Sequence, residues 1–218
     1  MKVTRAFLSG LAMMVFLVAS PCVYAGPTPT ETVENAVASV LGILNDPFYK
    51  QHGMSEARRG AIEQVVRKFV SDHDMMRYTL GNTWTELLEP DRNHFRSIFI
   101  HLLRDAVTCR ISDYANAEIV YLGERLEGNT ADVRILFKGD KVDTSIKVRL
   151  VSRSGDWLMY DAVVDGVSLL ENYRSQFEQV MRATSYVGLV STMEARSRLQ
   201  KTFEHTFESD SLSRASLR

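Results

Sequence analysis

The chain has 218 residues, with 26 lysines and arginines against 27 aspartates and glutamates, a formal charge of −1, and 45% hydrophobic residues. That balance argues against a nucleic-acid binder, and the length suits one domain with a sizeable core.

Lys2 and Arg5 precede an apolar stretch from Ala6 that closes on Val23, Tyr24 and Ala25. This is the layout of a cleavable secretory signal peptide, residues 1–25. A retained anchor is the alternative, but Ser9, Gly10, Ser20 and Pro21 dilute the apolar run. Pro21 also fits poorly before a lipidated Cys22. Cleavage takes two of the 26 cations, leaving 24 against 27 anions, and takes Cys22, so Cys109 has no partner in its own chain. An exported protein without a disulfide rests on its hydrophobic core. The rest of the chain has no run long enough to span a bilayer, so a soluble product is expected.

From Thr30, Val33, Ala36, Val37, Val40, Leu41 and Leu44 keep steps of three and four, predicting a helix with one buried stripe that stops at Asn45-Asp46-Pro47. A second helix is predicted from about Ser55, with Ile62, Val65, Val66, Phe69 and Val70 on one face. Asp74 reads as the cap of a short helical turn ending at Gly81. Pro90 opens a longer helix with the stripe Phe95, Ile98, Phe99, Leu102, Leu103, Ala106, Val107, Ile111 and Tyr114.

The period then changes from 3.6 to 2. Residues 118–126, 132–138, 144–151 and 157–164 read as four strands separated by EGNT, GDK and RSGD, which carry tight-turn residues. Val133, Ile135 and Phe137 share one face, as do Ile146, Val148 and Leu150, while Lys147 and Arg149 point away. Short turns between successive strands make an antiparallel meander. Helices are predicted from Ser168 to about Met181 and from about Ser191 to Phe207, followed by a polar, frayed tail, 209–218. The fold class expected is α+β: a four- to five-stranded curved antiparallel sheet packed against N- and C-terminal helices, in a single domain spanning 26–208.

In the fourth strand, Trp157, Met159, Asp161, Val163 and Asp165 alternate with the uncharged set Leu158, Tyr160, Ala162 and Val164. Asp161 and Asp165 share a face, but four residues of extended chain put about 13 Å between their Cα atoms, against about 5 to 9.5 Å for glycosidase carboxylates. Asp165-Gly166 serves a strand exit, and Ser168 with Glu171 fits a capping box. The acids therefore read as strand-exit and outward-face residues, and the uncharged set is the better functional candidate. No catalytic residue is assigned.

Trp157, Tyr160-Asp161, Val164 through Ser168, Tyr173-Arg174 and Gln176-Phe177 resemble the signature of the MlaC family, periplasmic phospholipid-binding auxiliary components of ABC transporters, also called toluene-tolerance proteins. Leu80-Gly81 with Trp84, the Phe95, Phe99, Leu102-Leu103 helix, and Gly188-Leu189 agree in order. The family often has a Tyr shortly after the paired leucines, where this chain has Val107 and Thr108. A hopanoid-associated branch shares much of the pattern.

The resemblance implies a soluble periplasmic carrier, a monomer, holding a phospholipid's acyl chains between sheet and helices. It would pass the lipid between an outer-membrane lipoprotein complex and an inner-membrane ABC transporter with its substrate-binding subunit, maintaining outer-membrane lipid asymmetry. A hopanoid or other lipid of the same superfamily is the alternative cargo.

A lipid with roughly 30 methylenes would pay about 24 kcal/mol for exposed tails at about 0.8 kcal/mol per methylene. The tails therefore need an enclosed apolar cavity. Its expected lining is Phe99 and Leu103 from the long helix, facing Val133, Ile135, Phe137, Ile146, Val148, Leu150, Leu158, Tyr160 and Val164 of the sheet. Periodicity alone is equally met by a solid core. Such a site requires no cofactor and no metal. The rival from another class is a small periplasmic hydrolase using Asp161 or Asp165, and a third reading is an adaptor that docks a transporter and carries nothing.

His52, His73, His94, His101 and His205 show no ligand pair, and His94 and His101 are about 10 Å apart along one helix. His101 and Asp105 form an i,i+4 surface pair, and Cys109 reads as an inert thiol. Arg92, Arg96, Arg104, Arg110, Lys147, Arg149 and Arg153 form a solvated basic surface.

Overall fold

The structure, a computed structural model, describes residues 26–111, 117–139 and 142–198, with backbone alone for 105–111. The signal segment, the tail, Lys201, His205 and the side chains of Asp105, Ala106, Val107, Cys109, Arg110, Ile111 and Tyr114 lie outside the described residues.

Helix α1, Pro29–Asn45, starts in a capping box: Thr28 Oγ1 accepts from the Glu31 amide and Glu31 Oε2 accepts from the Thr28 amide at 2.7 Å. Its stripe buries Val33, Ala36, Val40 and Leu44. Helix α2, Ser55–Phe69, lies against it and closes a small cluster around Ile62, Val40 and Leu44. Helix α3, Asp72–Leu80, is capped by Ser71 and not by Asp74, which sits one turn in at the position whose amide the Ser71 hydroxyl receives. Gly81, at φ 55°, turns the chain from α3 directly into α4, Asn82–Glu86, a short helix that the sequence pattern did not predict and that buries Trp84. Helix α5, Glu89–Ile111, is the long one.

Five strands follow: β1, Glu118–Glu127; β2, Thr130–Lys138; β3, Thr144–Arg153; β4, Asp156–Val164; and the two-residue β5, Val167–Ser168. They pair antiparallel in chain order, an open meander. Ser154 and Gly155 both have positive φ, 53° and 93°, the signature of the tight β3–β4 hairpin. Helix α6, Leu169–Ala183, leaves β5, and helix α7 occupies 186–198. No helix among the described residues is long and apolar enough to cross a membrane.

The apolar side chains divide into two main clusters. One belongs to the helices and contains Phe95, Phe99, Leu102 and Leu103 of α5 with Met76, Trp84, Leu170, Phe177 and Leu189. The other lies on one sheet face, where Val133, Ile135, Phe137, Val148 and Leu150 are covered by Val33 and Val37 of α1. Val33 and Val37 of α1, and not the described part of the α5 stripe, cover this sheet face, contrary to what periodicity suggested; α5 packs on α2 and α3.

Asp74 ties α3 to the end of β3, accepting from both Arg153 Nε, at 3.1 Å, and Arg153 Nη2, and from Ser71 Oγ. Burial alone pushes this carboxyl up, but the hydrogen bonds from Arg153 and Ser71 and the Arg153 charge outweigh it and hold its pKa below the ordinary 3.8. A lowered folded pKa means that the stabilisation is complete above the unfolded value and drains as pH falls through the folded one. Because Arg153 is half exposed, the pair contributes about 0.5–1 kcal/mol. Asp74→Asn should lower the melting temperature by about 1–4 °C at pH 6, and the gap to wild type should narrow as pH falls below the ordinary carboxylate range, read by thermal scans across that range.

Candidate functional site

The β3–β4 pairing decides where the strand-four residues point. Ile146 opposes Val164 and Val148 opposes Ala162, Arg149 opposes Asp161, and then Leu150 opposes Met159, leaving Tyr160 as an extra residue. A bulge of this kind shifts the alternation by one position. The uncharged set therefore splits: Ala162 and Val164 align with Val148 and Ile146, whereas Tyr160 packs on the helical cluster and Leu158 opposes Val151. Trp157 and Met159, expected on the other face, join the sheet cluster beneath α1.

The same register corrects the outward placement of Asp161, which is 5% exposed and covered by the start of α6. Its carboxylate accepts from Ser168 Oγ at 2.7 Å, the Leu170 amide at 3.1 Å and Arg149 Nη1 at 3.2 Å. Ser168 caps α6 as predicted, with the Glu171 amide at 3.0 Å, but Glu171 does not reach back. Its carboxylate accepts instead from the Tyr78 hydroxyl at 2.6 Å, joining α3 to α6. Asp165 is the strand-exit residue predicted: φ is 47°, and its Oδ1 accepts from the Ser145 amide at 2.9 Å. The two aspartates thus take different partners, and each closes a local structural network.

Two clefts open beside the sheet. The larger, about 760 Å³, lies between Thr32, Asn35 and Ser39 of α1, Lys68 and Phe69 at the end of α2, and the first residues of β4, Asp156, Trp157 and Leu158. Its size is within the about 300–1,000 Å³ typical of ligand pockets. It exists because β5 pairs only with Val163 and Val164, which leaves the start of β4 as an open sheet edge, bridged at Met159 by Val70. The smaller, about 400 Å³, is lined by Arg77, Tyr78, Arg153, Tyr160 and Arg174.

Of the sequence-predicted lining, Val133, Ile135, Phe137, Val148 and Leu150 come together under α1 with half-buried Ile146, and Val164 extends the same face of the sheet. Leu158 reaches the larger cleft and Tyr160 the smaller, while Phe99 and Leu103 are interior to the helices. Val33, Thr32, Lys68 and Trp157 were missed as site residues; the α1 stripe was visible, but nothing local says which sheet face a helix will cover. Among the described residues the histidines form no metal-holding cluster: His94 Nε2 meets Glu194 at 3.0 Å, and His101 lies 3.8 Å from Glu63.

No curated protein matches this chain in sequence. Among solved structures, the phospholipid-binding protein from Ralstonia solanacearum, in complex with a phospholipid, superposes with a TM-score of 0.69 at 20% identity, covering 77% of this chain and 96% of that one. The two share the fold. The family described as MlaC protein matches residues 34–195, from the second turn of α1 into α7, so the sheet, most of its covering helix and the helical cluster fall within the match. With that span, the chain belongs to the MlaC family.

Proposed function

We propose that this protein is a periplasmic phospholipid carrier, a monomer with one lipid-binding domain over 26–208 after a cleaved segment 1–25. It takes lipid from an outer-membrane lipoprotein complex to an inner-membrane ABC transporter, or the reverse, through that transporter's substrate-binding subunit. The observation that carries the reading is the apolar sheet face under α1 beside an open cleft, in a chain of the MlaC family whose fold is shared by a phospholipid-bound protein.

Two tails cost about 24 kcal/mol in water, far more than a surface groove offsets. The larger cleft is too polar at its rim to hold them, so it is the mouth. The tails run inward between α1 and the faces of Val133, Ile135, Phe137, Ile146, Val148 and Leu150, displacing Val33 and Val37 from the sheet. Leu158 is passed on the way in. No bond is made or broken, and recognition is mostly non-directional burial.

Native mass spectrometry of the purified mature protein, followed by lipid extraction, should show one lipid per chain. Repeated recovery of empty protein, even after exposure to liposomes, overturns the reading. Leu158→Glu puts a charge on the entry path from a half-buried position, and should lower the loaded fraction about tenfold while shifting the melting temperature by no more than about 4 °C.

A further inference from the structure

The larger cleft carries polar groups that the fold itself does not use. Thr32 is 4% exposed and lines the cleft, yet its hydroxyl has no hydrogen-bond partner. A buried hydroxyl without a partner is a cost the helix does not need to bear, since valine would fill the position. At the rim, Lys68 and Asp156 are exposed, and among the described residues neither has an ion-pair partner; the Asn35 side chain has no partner either. The Lys68 ammonium lies 5.0 Å from the centre of the Phe69 ring, on the aromatic side of the cleft, and Trp157 lies opposite the α1 residues.

Polarity is graded with depth. Opposite charges and an amide stand at the mouth, a single buried hydroxyl stands deeper, and Val33, the next residue along α1, is at the centre of the apolar cluster. A ligand matching that order carries a cation and an anion at one end, a hydrogen-bonding group below them, and apolar chains beyond.

We propose that this cleft is a headgroup site selective for zwitterionic phospholipids, resting on the carrier reading above. Lys68 meets the phosphate and Asp156 the ligand ammonium, Asn35 supports the phosphate oxygens, and the Thr32 hydroxyl donates to an ester carbonyl where headgroup gives way to chain. The single unpaired acid at the rim is what separates this class from lipids with a purely anionic headgroup. For these, Asp156 is a repulsive neighbour.

The test uses vesicles with equal amounts of phosphatidylethanolamine and phosphatidylglycerol of identical chains, with bound lipid read by native mass spectrometry. Wild type should load the ammonium-bearing lipid about fivefold over the other, the scale of one exposed ion pair. Asp156→Asn should abolish the preference, and Lys68→Gln should weaken loading of both lipids. Thr32→Val should raise the melting temperature of the empty protein by about 2–4 °C and lower retention of both lipids about fivefold. Equal loading by wild type, an Asp156→Asn variant with the preference intact, or a Thr32→Val variant with unchanged retention each overturns the headgroup site while leaving a carrier that selects by chains alone. A wild type that loads neither lipid overturns the carrier reading and this one together.

Discussion

Asp161→Ala is expected to destabilise the protein by about 3 kcal/mol, lowering its melting temperature by about 6–12 °C. The carboxylate is buried and accepts three hydrogen bonds from two parts of the chain: Arg149 on β3, and the start of α6, where the Ser168 cap hydroxyl and the Leu170 amide donate. Removing it leaves a buried amide without an acceptor, frees the cap hydroxyl, and strips the partner from an arginine whose side chain is 30% exposed. The partial exposure of Arg149 keeps the cost at the lower end of what a broken buried pair produces. Asp161→Asn keeps one acceptor oxygen, which serves the Leu170 amide at the Oδ1 position, but places an NH2 where Oδ2 accepted from Ser168 and Arg149, and should cost somewhat less than Asp161→Ala. Adding Arg149→Met to Asp161→Ala should recover about 1 kcal/mol, because no charge is then left uncompensated. Unfolding in urea, with the double-mutant cycle, measures all of these. A single variant within about 1 kcal/mol of wild type would show that α6 is held to the sheet by packing alone.

The same residue shows where sequence reading worked and where it stopped. Strand boundaries were legible because Val133, Ile135 and Phe137 alternate with other residues and the turns carry Gly128 and Gly155, and the strand exit Asp165 and Gly166, at positive φ. Alternation also gave Asp161 and Asp165 a common face, but it assumes a regular strand, and the bulge at Tyr160 is set by pairing with β3, a partner that strand four alone does not encode. Helix stripes were legible for α1, α2 and α5, yet a stripe names the buried side without naming what covers it. Phe99 and Val133 both looked ready to meet across a cavity; the short loops linking α2 to α5 keep α5 among helices, and α1 comes back over the sheet through the pairing of Thr30 with Glu124. The Thr32 hydroxyl is the extreme case, since a threonine on an apolar helix looks like an ordinary neighbour of Val33 until its lack of a partner is seen in three dimensions. Period and spacing are met equally by a solid core, and it is the family resemblance that motivates reading the apolar sheet face as a lipid site.

Phe99→Ala separates the two apolar clusters by their use. The ring is fully buried and touches three others: Tyr173 edge-on at 5.2 Å, Phe177 at 5.6 Å and Phe95 stacked at 5.8 Å. Truncation removes a large apolar side chain, opens a cavity that three neighbouring rings on two helices cannot collapse to fill, and costs about 3–5 kcal/mol. The melting temperature should fall by about 6–20 °C. Since the helical cluster lies apart from the sheet face under α1, the variant should still load one lipid per chain when assayed well below its melting temperature. Leu150→Ala, in the sheet cluster, should also destabilise the empty protein, by about 2–5 kcal/mol, but should change lipid retention, because the cavity it makes is in the proposed path of the tails. If Phe99→Ala loses lipid in step with Leu150→Ala at matched stability, the tails must extend into the helical cluster. The chain site would then include Phe99 and Leu103 alongside the strands.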